Sequence, residues 1–105
     1  MKVLLLENNP DDQKLIRKEI EKYYKDYELI IVENRKDFIK TLSSNKPDIV
    51  LSNYSLPDID AKTALKITHQ YYPLLPFIVI IGTTSEELAI EYIKAGAYDY
   101  LLKKI

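Results

Sequence analysis

Apolar positions along this chain come in two alternating textures. Some form short unbroken runs, and others recur every three or four residues. The runs are Val3-Leu4-Leu5-Leu6, Leu29-Ile30-Ile31-Val32, Ile49-Val50-Leu51, the five residues from Phe77 to Ile81, and Tyr100-Leu101-Leu102. Each has strand length without polar alternation, the pattern of strands covered on both faces. Between them lie helical periods. Leu15, Ile16, Ile20, Tyr23, Tyr24 and Tyr27 predict a first helix reaching about Lys25. Phe38, Ile39 and Leu42 predict a short second one. Ala61, Ala64, Leu65 and Thr68, with Tyr71 or Tyr72, predict a third, and Leu88, Ala89, Tyr92, Ile93 and Ala95 a fourth.

Local signals punctuate these elements. Asn9 caps the first helix, Pro10 suits its first position, and Asp11 and Asp12 complement its positive end. Ser43-Ser44-Asn45-Lys46-Pro47 breaks the second, Asp60 caps the third, and Pro73-Leu74-Leu75-Pro76 stops it. Thr84 with Glu87 forms a capping box for the fourth helix, which Gly96 terminates. The order β-α-β-α-β-α-β-α-β predicts an α/β fold, a doubly wound parallel sheet with right-handed crossovers and helices on both faces. At 105 residues this is one domain, spanning 1–105 without repeat or linker.

Composition removes several chemistries. There is no Cys, and His69 is the single histidine, so disulfides, thiolate metal sites and multi-histidine sites are excluded. The glycines are Gly82 and Gly96 alone, too few for a nucleotide-binding glycine loop. A net charge of -1 predicts no nucleic-acid or anionic-membrane partner. No apolar run approaches membrane length, and the run after Met1-Lys2 meets charge at Glu7, unlike a signal peptide. A cytoplasmic location is the expectation.

In an open parallel sheet, ligands bind beyond the carboxyl ends of the strands. With the first strand central, Glu7, Asn8 and Asn53 fall there, and Ile81-Gly82 and Lys103 extend the same edge. The ordinary reading is that the amides form turns and Lys103 is solvated.

Four segments resemble the receiver domain of two-component response regulators. Residues 3–12 look like its first strand and acidic loop. Residues 47–61 look like its phosphoacceptor strand and the following loop, with Leu56-Pro57 after the acceptor position. Residues 76–82 look like the strand ending in its hydroxyl residue, and residues 94–103 like the segment ending in its lysine. The resemblance implies a flavodoxin-like five-stranded sheet in the order 2-1-3-4-5. It also implies magnesium held by two acids and the acceptor aspartate. Carried over by position, the first acid is kept as Glu7 and the lysine as Lys103, with Tyr100 at the switch aromatic. The second acid falls on Asn8, the acceptor on Asn53 and the hydroxyl on Ile81. Ala61 stands for a glycine and Lys104 for a proline.

An amide does not form an acyl phosphate, and Ile81 offers a phosphoryl group no hydrogen bond. Glu7 is left as the lone metal carboxylate, opposed by Lys103, for a site charge near zero. The expectation is a degenerate receiver, or pseudo-receiver, without enzymatic activity. It would work in a phosphorelay context by binding a histidine kinase, an effector domain or a second copy of itself. Glu7 and Lys103 would pair, and Tyr100 would be packed by Ile81. The family's fifth helix is missing from this chain, so truncation before it is expected, with apolar side chains of strands one and five facing water. Two alternatives remain. Asp58 or Asp60 could accept the phosphoryl group in a receiver that keeps weak metal binding. A flavin-binding domain would share the sheet order, but Asp11 and Asp12 oppose a phosphate at its first loop.

Overall fold

The computed structural model describes residues 1–82 and 86–103. Its elements are β1 (Lys2–Leu6), α1 (Pro10–Glu21), β2 (Glu28–Val32), α2 (Arg35–Ser44), β3 (Ile49–Asn53), α3 (Ala61–Tyr71), β4 (Phe77–Ile81), α4 (Glu86–Lys94) and β5 (Asp99–Leu102). All strand pairs are parallel and the sheet order is β2-β1-β3-β4-β5. The nine elements and the sheet order match the sequence reading. The Thr84 capping box and Lys104 lie outside the described residues.

The two faces of the sheet are covered unequally. Leu4, Leu6, Val50, Phe77, Val79 and Ile81 point into a large core with Phe38 and Leu42 of α2, Ala64 and Leu65 of α3, and Ala89 and Tyr92 of α4. Val3, Leu5, Leu51 and Ile80 form a smaller core with Ile16 of α1. Burying a side chain such as Phe38 contributes roughly 1.5–3 kcal/mol, so the first face carries most of the hydrophobic stabilisation.

Three expectations are corrected here. The first helix stops at Glu21, not Lys25, with Lys22 as its C-cap. The N–H groups of Tyr23 and Tyr24 both donate to Ile20 O, each at 3.0 Å. The chain must leave the helix there because the N–H of Glu28 is already bound to Met1 O at 2.8 Å to start β2. Tyr23 and Tyr24 are consequently exposed rather than part of an apolar stripe. The second helix continues through Ser43 to Ser44, whose hydroxyls return to Lys40 O. Strand one does not face water: α1 and its neighbouring strands bury Val3 and Leu5. Strand five does, and Leu101 and Leu102 are both exposed at the sheet edge.

His69 has a packing role. Its Nε2 lies 3.1 Å from Leu75 O, and its ring closes over Gly96. Gly96 adopts φ 115°, a conformation side chains rarely take, so the turn out of α4 requires glycine.

Candidate functional site

The backbone ladder runs one residue past each strand end and so fixes where the candidate residues sit. The N–H of Glu7 donates to Val32 O at 3.0 Å, and that of Lys103 donates to Ile81 O at 2.9 Å. Glu7 is fully buried. Its Oε1 makes no hydrogen bond but lies 3.1 Å from Lys103 Nζ, and its Oε2 accepts the Asn9 N–H at 3.3 Å. The expected pair of Glu7 and Lys103 is therefore present.

The lysine has a second acid, which the sequence reading assigned only to the positive end of the first helix. Asp12 Oδ2 accepts from Lys103 Nζ at 2.9 Å. The cap geometry brings it there: Asn9 Oδ1 accepts the N–H groups of Asp11 and Asp12 at 2.9 and 3.0 Å, which sets the first turn of α1 against the sheet edge. Gln13 was missed as well. Its amide donates to Glu7 O and to Glu33 Oε2, both at 2.7 Å, tying α1 to the ends of β1 and β2. An acid in a helix's first turn is already explained by the helix dipole, so no sequence signal separated Asp12 from Asp11. The site charge is thus two carboxylates against one ammonium, not the balanced pair expected. Burial draws the Lys103 ammonium pKa down, but the hydrogen bond to Asp12 and the negative charges of Glu7 and Asp12 outweigh it and raise the pKa above its ordinary 10.5.

Asn53 ends β3 and is turned onto its own loop. Its Oδ1 accepts the Tyr54 N–H at 2.9 Å, shared with Ile80 O, and its amide donates to Ser55 O at 3.0 Å. Ile81 is fully buried in the large core, while the side chain of Asn8 is exposed. Tyr100, expected to be packed, is 37% exposed on the edge strand, where it pairs in register with Val79. The substitute carboxylates serve helix starts. Asp58 accepts the Arg35 N–H at 3.1 Å at the head of α2. Asp60 caps α3, accepting the Thr63 N–H at 2.8 Å, and hydrogen bonds from Thr63 hold its carboxyl below the usual range.

A family model described as response regulator receiver domain matches residues 3–105. The DNA-binding transcriptional regulator NtrC of Proteus hauseri is 38% identical over 71 residues, covering 68% of this chain and 15% of that protein. An NtrX-like response regulator of Rickettsia felis is 35% identical over 97 residues, covering 89% of this chain and 20% of the relative. The chain thus spans a minor part of the curated relatives it matches. Among solved structures, the BeF3-activated receiver domain of Klebsiella pneumoniae RstA superposes with a TM-score of 0.85 at 24% identity, covering 100% of this chain and 87% of that one, a likeness of fold.

The magnesium that such a fold implies does not fit the residues present. Magnesium requires carboxylate oxygens and waters in near-octahedral geometry. Here an ammonium already meets the Glu7 carboxylate, and both polar atoms of the Asn53 amide are engaged by its loop. Among the described residues, no cluster of three or more His, Asp or Glu side chains could hold a metal ion.

Proposed function

The chain belongs to the response regulator receiver family, and from that premise we propose that it is a pseudo-receiver, a signalling module that acts by protein–protein contact without taking up phosphate. One observation carries this reading. At the acceptor position, Asn53 supplies an amide whose N–H is spent on Ser55 O, where acyl-phosphate chemistry needs a free carboxylate. Ile81 at the hydroxyl position is buried and apolar, which supports the same conclusion. The alternative through Asp58 or Asp60 is disfavoured because both carboxylates hold helix N-termini.

The module carries out no chemistry of its own in this reading. Its partners are a histidine kinase, an effector domain or a second copy. Nucleic acid is not contacted through this domain, in keeping with a net charge of -1. Among the described residues no helix is long and apolar enough to cross a membrane, consistent with the proposed cytoplasmic setting.

Amide NMR tests the proposal. The chain is titrated with magnesium, then with beryllofluoride, and a parallel sample is incubated with acetyl phosphate and weighed intact. The expected result is no saturable shift at Asn53 or Lys103 and no added phosphoryl mass. Saturable shifts spreading from Asn53 to Tyr100, or a phosphorylated chain, would sink it.

A further inference from the structure

Two carboxylates from different elements converge on one point of the site, and that point is a nitrogen. Asp12 Oδ2, from the first turn of α1, lies 2.9 Å from Lys103 Nζ, and Glu7 Oε1, from the end of β1, lies 3.1 Å from it. Glu7 is completely buried, and its Oε1 has no hydrogen-bond donor of its own. A buried carboxylate oxygen in that state is unfavourable unless a cation faces it. The only positive charge that the structure brings within ion-pair distance of it, among the described residues, is the ammonium.

We infer that Lys103 is the resident cation of this site: its tethered ammonium occupies the place of a soluble divalent ion between Glu7 and Asp12, excludes such an ion, and leaves a latent divalent-cation site when its charge is removed. The inference rests on the pseudo-receiver reading for its biological sense. The physical argument is one of charge and concentration. A side chain anchored by the Lys103 N–H to Ile81 O is always at hand, so a soluble ion must displace a tethered competitor. With the ammonium present the cluster carries a single net negative charge. Without it, two facing carboxylates remain, and their mutual repulsion is relieved by binding a hard cation with oxygen ligands. Asp12 gives the latent site a ligand that the strand ends alone do not supply.

The test is a titration of the wild-type chain and of Lys103→Met with manganese, following paramagnetic broadening of the Glu7, Asn8 and Asp12 amide resonances, with magnesium added as competitor. In the variant, saturable and magnesium-reversible broadening centred on Glu7 and Asp12 is expected at concentrations about tenfold or more below any effect in the wild type, as the added net charge of the ligand set dictates. Equal saturable broadening in the wild type would overturn the inference, as would its absence in the folded variant. If Lys103→Met does not fold alone, recovery of a dispersed spectrum on adding magnesium supports the inference. Lys103→Gln, which keeps a donor for Glu7 without the charge, is then titrated in the same way, and no binding there overturns it. A wild-type chain that accepts phosphate sinks the functional reading instead, and acetyl phosphate treatment separates the two failures.

Discussion

The two halves of the strand-end site solve the same problem by different physics. At the ends of β1 and β5, Glu7, Asp12 and Lys103 keep full charges and satisfy them with one another. At the ends of β3 and β4, Asn53 and Ile81 carry no charge, and each is absorbed by its surroundings, Asn53 by hydrogen bonds to its loop and Ile81 by the large core. The ionic half joins elements distant in sequence and depends on a single ammonium. The neutral half is mostly local and has no central residue. Neutral groups on one side therefore need not loosen the other, provided an internal cation holds it.

The strongest way to break this comparison is to remove that cation. Lys103→Met leaves Glu7 buried and unpaired, and urea denaturation is expected to show a loss of about 3–5 kcal/mol. The wild type has a matching pH signature. Because the native Lys103 pKa is raised, the cluster's contribution is complete below 10.5 and is lost as pH rises through the higher native value. Burial also pushes the Tyr92 phenol up to about 12, so its contribution fades from pH 10 upward in the same direction. Urea midpoints measured across this range should fall for both chains, and less steeply for Lys103→Met. An equal slope would remove Lys103 from the account.

Asn53→Asp probes the neutral half. An aspartate keeps the Tyr54 N–H but cannot donate to Ser55 O, so a loss of about 1–2 kcal/mol is expected. The variant is also expected to remain unphosphorylated by acetyl phosphate, because Ile81 and the Lys103 cluster are unchanged; intact mass reads this directly. Asp60→Ala removes the cap of α3 and should cost about 1 kcal/mol in the same denaturation series. That cap has its own pH sign: with its native pKa depressed, Asp60 stabilises above 3.8 and loses this as pH falls through the lower native value. The smallest effect belongs to Asp12→Asn. Asp12 is 30% exposed and the Glu7 contact survives, so about 0.5–1 kcal/mol is expected. A loss as large as that of Lys103→Met would mean that Asp12, not Glu7, holds the lysine.

Much of this was legible in the residues. Unbroken runs such as Val3-Leu4-Leu5-Leu6 have the length and texture of strands buried on both faces, and the caps at Asn9 and Asp60 marked helix starts that the structure keeps. The groups that Asn8, Asn53 and Ile81 offer, two amides and an aliphatic side chain, were equally plain, since a residue's functional groups are fixed by its identity. The end of α1 was misjudged because Tyr23 and Tyr24 continue the helical period, while the pairing of Glu28 with Met1, remote in sequence, pulls the chain out of the helix. Tyr100 is more exposed than its apolar run suggests because β5 is an edge strand. By itself the sequence determined which groups the site has and which it lacks. Only the tertiary structure decided that Asp12, ninety-one positions from Lys103, shares its ammonium with Glu7. That contact exists because parallel pairing carries the ends of β1 and β5 to the same edge, where a capped helix turn meets them.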